Sequence, residues 1–204
     1  FTEKAAFEMR DRISAAAQKI GYRGDLSELN VSTIHGFCNR ILMQHRHQTK
    51  LGNNYETLEE LTQLLFIFEH FNDIIGPHEN GRYLSYWRTR WTAIEGVRAY
   101  FDKITEELVD PEVLARSGNA FLQRIAAAYR TYEEALFANN RTDFAHLQSI
   151  VHGLLFEPET RNTITKDIRY ILVDEYQDTN YVQEQLLLKL AEDTGNLCVV
   201  GDED

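Results

Sequence analysis

The sequence predicts an α/β fold that carries a large inserted all-α helical domain, so that the chain is mostly helical overall. Apolar residues recur at helical three- and four-residue spacing through most of positions 3–155. After Glu159 the pattern changes to two short β-rich runs, Ile168–Val173 and Leu197–Val200, and acidic residues follow each run closely. Strand, acid, helix, strand, acid is the order of parallel α/β sheets, whose ligand sites lie at the carboxyl ends of strands.

The first fifty residues contain two predicted helices. The first runs from Glu3 to Ile20, with Thr2 as its N-cap, and Gly21 ends it. Thr33 is the predicted cap of the second helix. The inner face of that second helix holds Ile34, Phe37, Cys38, Ile41 and Leu42.

Residues 51–155 are predicted to be helical throughout, which makes the insert all-α. The predicted helices in order are Leu58–Phe71, Tyr83–Val109, a short helix from Pro111, Phe121–Leu136 and a helix capped by Thr142. Gly76 and Pro77 end the first of them, and Pro111 suits the first turn of a helix because that position needs no backbone donor.

The last part of the chain, residues 156–204, is predicted to return to α/β structure. Ile168–Val173 and Leu197–Val200 are mostly apolar, which fits strands buried in a parallel sheet. The amphipathic segment Asn180–Ala191 between them is predicted to be a helix.

The charge is uneven along the chain. The net charge of −11 disfavours a nucleic-acid binder, since phosphate neutralisation needs Lys and Arg. Residues 1–50, however, carry 8 basic and 5 acidic groups, whereas residues 51–150 carry 9 and 15 and residues 151–204 carry 4 and 12. A sum over the whole protein can therefore conceal a local positive groove.

The two cysteines indicate a reducing compartment. Cys38 and Cys198 lie far apart and form no Cys-x-x-Cys pair, so we expect buried reduced thiols in a cytoplasmic protein and no zinc site. No window approaches 18 consecutive apolar residues, so we expect no membrane span.

The segment 170–180 carries the strongest chemical signal. Its aliphatic run is followed by two adjacent carboxylates, Asp174 and Glu175, at the carboxyl end of the predicted strand. In P-loop NTPases an acid at this place holds Mg²⁺, and a neighbouring carboxylate can position or deprotonate the attacking water. The sequence therefore predicts Asp174 as the metal residue and Glu175 as the base.

Four segments, in order along the chain, resemble motifs of the UvrD/Rep/PcrA-type superfamily 1 DNA helicases. Phe1–Arg10 resembles motif Ia, Val31–Cys38 the Thr-x-His motif, Asp174–Asn180 the Walker B motif and Val199–Asp204 the start of motif III. Each match is short, but four in order with a helical insert between the second and third are specific. Glu3 and Gly36 depart from the Asn and Ser that are usual there.

The resemblance implies that residues 1–50 and 156–204 belong to ATPase domain 1A, a P-loop NTPase domain of RecA-like fold, and residues 51–155 to the inserted domain 1B. It implies ATP and Mg²⁺ as cofactors of the full-length parent, 3′→5′ movement, and single-stranded DNA and single/double-strand junctions as partners. The implied site residues are Asp174 for Mg²⁺, Glu175 and Gln177 for catalysis, Asp178 and Asp202 for coupling to ATP, and Phe1, Thr2, Thr33 and His35 for DNA binding.

Two alternatives stay open. A helicase–nuclease of the RecB/AddA kind shares these motifs, and a non-catalytic module would recruit DNA or a protein partner through the helical insert. The acidic insert suits a protein partner better than duplex DNA. The 204 residues contain no GxxxxGK[ST] phosphate loop, so we expect no ATPase or helicase activity from them alone.

Two further patterns are interpreted structurally. Asp143–Leu147 departs from the family's usual Asp-Phe-Asp-Asp-Leu, and we predict only a capped helix with Phe144 and Leu147 in a core. Arginines interleave with aromatic residues around Trp87 and Trp91, where a core stripe flanked by solvated arginines is favoured over a DNA contact.

Overall fold

The computed structural model describes residues 3–202 and is mostly helical there. Its helices are α1 (Glu3–Lys19), α2 (Ile34–His45), α3 (Glu60–Glu69), α4 (Phe71–Ile74), α5 (Arg90–Glu106), α6 (Pro111–Ala115), α7 (Ala120–Ala138), α8 (Phe144–Leu154), α9 (Pro158–Thr165) and α10 (Tyr181–Ala191). Its strands are β1 (Glu56–Leu58), β2 (Arg141–Asp143), β3 (Ile171–Val173) and β4 (Leu197–Val199). Short 3₁₀ turns follow α2 and β3, at Arg46–Gln48 and Tyr176–Asp178.

The predicted α/β order is found in the last part of the chain. Strands β3 and β4 pair in parallel with Leu172 opposite Cys198, and α10 connects them. Asn180 caps α10 in a reciprocal capping box with Gln183, which satisfies two backbone donors at the start of the helix. This crossover places the residues after β3 and β4 at the same edge of the sheet.

The prediction of an all-α insert is wrong. Strands β1 and β2 form a second parallel pair, with Glu56 opposite Arg141 and an ion pair of 3.1 Å between these two side chains. Gly52 N also donates to Asn140 Oδ1 at 2.6 Å. Strands of three residues are too short to show a period of two, so the sequence carries no signal for them. The pair holds together the two connections through which the chain enters and leaves the segment 59–140.

The helix predicted over Tyr83–Val109 begins only at Arg90. Before it, Tyr83 N donates to Trp87 O at 2.7 Å in a short antiparallel bridge, and Leu84 and Ser85 have left-handed φ values of 48° and 62°. Trp87 and Trp91 therefore do not share a helix face, because only Trp91 belongs to α5. Aromatic residues spaced by three and four positions matched the helical period without forming a helix.

The buried face of α3 includes a glutamine as well as apolar residues. Leu61 is 64% exposed, whereas Phe66 and Ile67 are fully buried and Gln63 is almost so. The helix has apolar residues on both faces, so periodicity alone did not fix its rotation. Gln63 Nε2 donates to Asp102 at 2.8 Å and to Tyr132 OH at 3.1 Å, and these contacts account for the face of α3 that turns towards the core.

The apolar residues form two separate cores. The first lies between Leu58 and Leu136 and joins β1, α3, α4, α5 and α7, with Phe101 and Tyr132 stacked 4.8 Å apart. The second joins α2, α8, α9 and α10, and Cys38, Leu147 and Leu186 lie in it. Helices from both ends of the chain therefore share one core.

The strands β3 and β4 are not buried as predicted. Leu172 is 77% exposed, and Cys198 is exposed, whereas Cys38 is buried as predicted. Parallel sheets are normally covered by helices on both faces, and this two-stranded sheet has much of its apolar surface open. Among the described residues no helix is both long enough and apolar enough to cross a membrane.

Candidate functional site

The acidic residues after β3 lie where the chain leaves the sheet. Val200 N donates to Val173 O and Tyr176 N donates to Val200 O, each at 2.8 Å, so the two chains stay paired just beyond the strands. Asp174 is exposed between these bonds, and its Oδ1 accepts from Glu175 N at 3.1 Å. Its other carboxylate oxygen makes no hydrogen bond within the described residues, so it is available as a ligand.

Glu175 has a strained backbone. Its φ of 51° and ψ of 46° lie in the left-handed region, which is unfavourable for residues other than Gly, Asn and Asp. Such conformations are concentrated at functional sites, where the surrounding structure maintains them. Gln177 Nε2 donates to Glu175 Oε2 at 2.6 Å and so fixes the direction of the carboxylate.

Gln177 also joins this carboxylate to the end of β4. Asp202 N donates to Gln177 Oε1 at 3.2 Å, so one amide bridges the residues that follow the two strands. A Cβ at Gly201 would lie 2.4 Å from Gln177 Oε1 and 3.3 Å from the backbone nitrogens of Tyr176 and Gln177. Sequence reasoning missed Gly201, although a glycine directly before an acid at a strand end indicates such a close approach.

Helix α10 supports the site from one side. Tyr176 OH donates to Glu184 on α10 at 2.9 Å, and Thr179 Oγ1 donates to Tyr176 O at 2.7 Å. Asp178 N donates to Glu175 O at 3.0 Å, while the Asp178 side chain is exposed. The Gln177 side chain thus joins the Glu175 carboxylate to the backbone nitrogen of Asp202, and Asp178 is linked to Glu175 through backbone atoms only.

The metal predicted at Asp174 is compatible with this edge. Among residues 3–202 no group of three or more His, Cys, Asp and Glu side chains could hold an ion. Mg²⁺, however, is commonly bound through one or two carboxylates together with substrate phosphates and water. An exposed carboxylate with a free oxygen suits that role.

The predicted DNA residues lie at the start of α2. Thr33 caps this helix, and its side chain accepts from Gly36 N at 2.9 Å. His35 is half-buried; its ring contacts the Phe144 ring edge-on at 4.9 Å, and Gln148 on α8 bonds its Nε2. Burial lowers the pKa of His35, so its imidazole is neutral at pH 7. Phe1 and Thr2 lie outside the described residues.

A buried polar cluster in the insert was not predicted. Asp143, not Thr142, caps α8, and its carboxylate accepts from Tyr132 OH at 2.7 Å and from His146 Nδ1 at 2.9 Å. Gln63 Nε2 donates to Asp102 at 2.8 Å and lies 3.4 Å from Asp143 Oδ2. In the same segment Leu147 is buried as predicted, but Phe144 is 41% exposed.

The charges in this cluster compensate one another. Burial raises the pKa of Asp143, but the His146 charge and several hydrogen bonds outweigh it, so the net effect is a lowered pKa. Asp143 in turn raises the pKa of His146 against the effect of burial. For Asp102 burial dominates and raises the pKa to about 6.

Comparisons with known proteins cover the whole chain. The profile of the UvrD/REP helicase N-terminal domain matches residues 1–204. A probable DNA helicase of Mycoplasma pneumoniae is 32% identical over 214 residues, the ATP-dependent DNA helicase PcrA of Bacillus subtilis 32% over 206, and DNA helicase II of Escherichia coli 30% over 205.

Each of these alignments includes 100% of this chain but 37%, 26% and 26% of the respective relative. The chain thus spans about a quarter to just over a third of the length of these relatives. Because the family profile matches from the first residue to the last, the chain belongs to the UvrD/REP helicase N-terminal domain family.

Proposed function

We propose that this chain is part of an ATP-dependent DNA helicase or translocase, in which it supplies a portion of ATPase domain 1A and the inserted domain 1B. The observation that carries the proposal is the cluster at the carboxyl ends of β3 and β4, where Gln177 bridges Glu175 to Asp202. Open parallel sheets bind ligands at this edge. Relatives named DNA helicases over the same span support the same activity.

The chemistry proposed for this edge is ATP hydrolysis. Asp174 would hold Mg²⁺, which neutralises the charge that develops on the phosphates. Glu175 would accept a proton from the attacking water, and its left-handed backbone and the hydrogen bond from Gln177 hold its carboxylate in one position. Gln177 contacts the residues that follow both strands, so a nucleotide-dependent movement of its side-chain amide would also move Asp202. Asp178 directly follows Gln177 in the chain and would move with it.

The remaining parts of the proposal concern DNA and the domain layout. Phe1, Thr2, Thr33 and His35 would line a single-strand track, with movement in the 3′→5′ direction. Residues 1–50 and 156–204 would form the domain 1A portion and residues 51–155 the insert, whose own core runs from Leu58 to Leu136. Junction DNA, or a protein bound by the acidic insert, would be further partners.

The test of the catalytic assignment is Glu175→Gln in the full-length protein that contains this chain. The substitution keeps the size of the side chain and removes the base, so ATP turnover should fall by at least a hundredfold, within the range that general-base catalysis supplies. Binding of a fluorescent ATP analogue should be retained. Turnover is measured by phosphate release with and without single-stranded DNA.

Glu134→Gln is the matched control, because Glu134 is exposed on α7, far along the chain from β3 and β4. It should leave turnover unchanged. Turnover by Glu175→Gln at the wild-type rate would refute the role of Glu175. A full-length protein that neither hydrolyses ATP nor binds single-stranded DNA would refute the proposed function itself.

A further inference from the structure

A polar cleft of about 190 Å³ lies between α1 and the beginning of α2. Arg10 and Phe7 line it from α1, and Ser32, Gly36 and Arg40 line it from the other side. Its volume is several times the ~30 Å³ that a water molecule occupies in the liquid. The cleft can therefore accept a group larger than a single water.

Arg40, which lines this cleft, has a side-chain nitrogen that lacks a hydrogen-bond acceptor. Its Nη2 is buried and makes no hydrogen bond, and its guanidinium lies 5.6 Å from the centre of the Phe37 ring. Arg98 and Arg161 also have one buried nitrogen without a partner, but both form ion pairs through their other nitrogens. A buried charged donor without an acceptor is costly unless a ligand or ordered water satisfies it.

Arg10 adds a second guanidinium with spare donors. It is exposed, and its one hydrogen bond in the described residues is a long one of 3.4 Å from Nη2 to Val31 O. Within residues 3–202 neither Arg10 nor Arg40 forms an ion pair with a carboxylate. The cleft thus gathers two positive charges in the one part of the sequence that is net positive.

The remaining walls suit a phosphate bound to a nucleic acid. Helix α2 is twelve residues long, and its N-terminus beside Ser32 contributes a positive dipole end. Phe7, at the rim, is 61% exposed and available for stacking on a base. A free phosphate ion would use the arginines but would gain nothing from an exposed aromatic ring.

We propose that the cleft binds a backbone phosphate of single-stranded DNA through Arg10 and Arg40, with Phe7 against a neighbouring base. The inference rests on the proposed function and extends it by one phosphate contact, made by two arginines, and one base contact, at residues to which the family resemblance gave no role in DNA binding. A planar guanidinium presents two parallel donors to phosphate oxygens, which accounts for arginine at both positions.

The experiment measures binding of a labelled oligo(dT) to the full-length protein at several salt concentrations. The two arginines bind the same phosphate, so Arg10→Ala and Arg40→Ala together remove one phosphate contact and should reduce the slope of log K against log salt by about 0.7. Phe7→Ala should weaken binding while leaving the slope unchanged, because a stacking contact releases no counterion. Arg116→Ala is the control, since Arg116 is an exposed arginine after α6 with only a 3.8 Å ion pair.

Each outcome decides one point. A wild-type slope in the double variant, with normal DNA binding by the wild type, overturns the inference and leaves the proposed function standing. Loss of inorganic phosphate binding by calorimetry, without a change in the DNA slope, also overturns it, because the cleft then takes a free ion. Arg10→Ala alone keeps the test valid if Arg40→Ala fails to fold, because Arg10 is exposed.

Discussion

At the level of single residues, Asp143 combines a structural and an electrostatic task. It caps α8 by accepting from His146 N at 2.8 Å, and its carboxylate also meets the Tyr132 hydroxyl and the His146 ring. The group is 2% exposed, so water cannot replace any of these partners. Asp143 and His146 form a buried charge pair, and removing the charge of Asp143 leaves the charge of His146 buried and unpaired.

Replacement of Asp143 by Asn should therefore destabilise the protein by about 3–5 kcal/mol. The new amide keeps one acceptor for the cap but turns an NH₂ group towards donors of Tyr132 and His146. Urea unfolding at pH 7 measures the loss. Asp110→Asn is the matched control, because Asp110 caps α6 from an exposed position where Asn caps equally well. Equal losses for the two variants would refute the role of burial.

The raised pKa of Asp102 predicts that the free energy of unfolding depends on pH. Its folded pKa of about 6 lies above the unfolded value of about 3.9, so folding disfavours the charged form. The wild type should lose stability as the pH rises from about 4 to 6, and the loss persists above that. Asp102→Asn lacks this cost, so its stability relative to wild type should improve with pH by up to about 3 kcal/mol.

The measurement for Asp102 is chemical denaturation of both proteins between pH 4 and pH 8. Arg98 retains its 2.9 Å partner Glu60 in the variant, so it is not left without an ion pair. Asp167→Asn, which removes an exposed carboxylate, is the matched control measured over the same pH range. A constant difference for Asp102→Asn over the same range would rule out the raised pKa.

At the level of elements, the helices with explicit end signals were predicted from the sequence. Pro111 lies in the first turn of α6 and Thr33 caps α2, as expected, and the predicted helix Asn180–Ala191 is α10, which Asn180 caps. In each case a side chain or a fixed φ acts within a few residues, so the cause of the boundary lies in the local sequence. The placement of Asp174 and Glu175 after a strand was predictable for the same reason.

The elements that the sequence did not reveal depend on distant partners. Pairing of β1 with β2 joins residues more than eighty positions apart, and the inward rotation of α3 depends on the partners of Gln63. The contact between His35 and Gln148 joins α2 to α8 across a separation of 113 positions. Local spacing carries no information about such contacts. Gly201 indicates a close approach at the end of β4, but the local sequence does not identify Gln177 as the residue that approaches it.

At the level of the whole molecule, the chain contains two cores that are connected at few places. The insert core runs from Leu58 to Leu136, and the second core combines α2 with α8, α9 and α10. Helix α8 packs against α5 as well as against α2 and α10, and α10 also contacts α5. Among the described residues, α5, α8 and α10 therefore form a path of packed helices between the first core and the strands that carry the acidic site.

This arrangement predicts that the two cores open separately in hydrogen exchange. Phe101→Ala removes a fully buried ring that stacks on Tyr132, at a cost of about 3–5 kcal/mol. Its effect on amide protection should be concentrated in α3, α5 and α7, and α2 and α10 should remain close to wild type. Leu186→Ala, in the second core, should give the reverse pattern at about 2–5 kcal/mol.

Exchange measured by mass spectrometry on the two variants and the wild type distinguishes separate from joint opening. Ala99→Gly, on the exposed face of α5, provides the matched control, because it weakens that helix by about 1 kcal/mol without creating a cavity. If either core variant lowered protection equally in both cores, the chain would open as one cooperative unit. Separate opening would instead mean that the insert can rearrange while the strand ends keep Glu175, Gln177 and Asp202 in place.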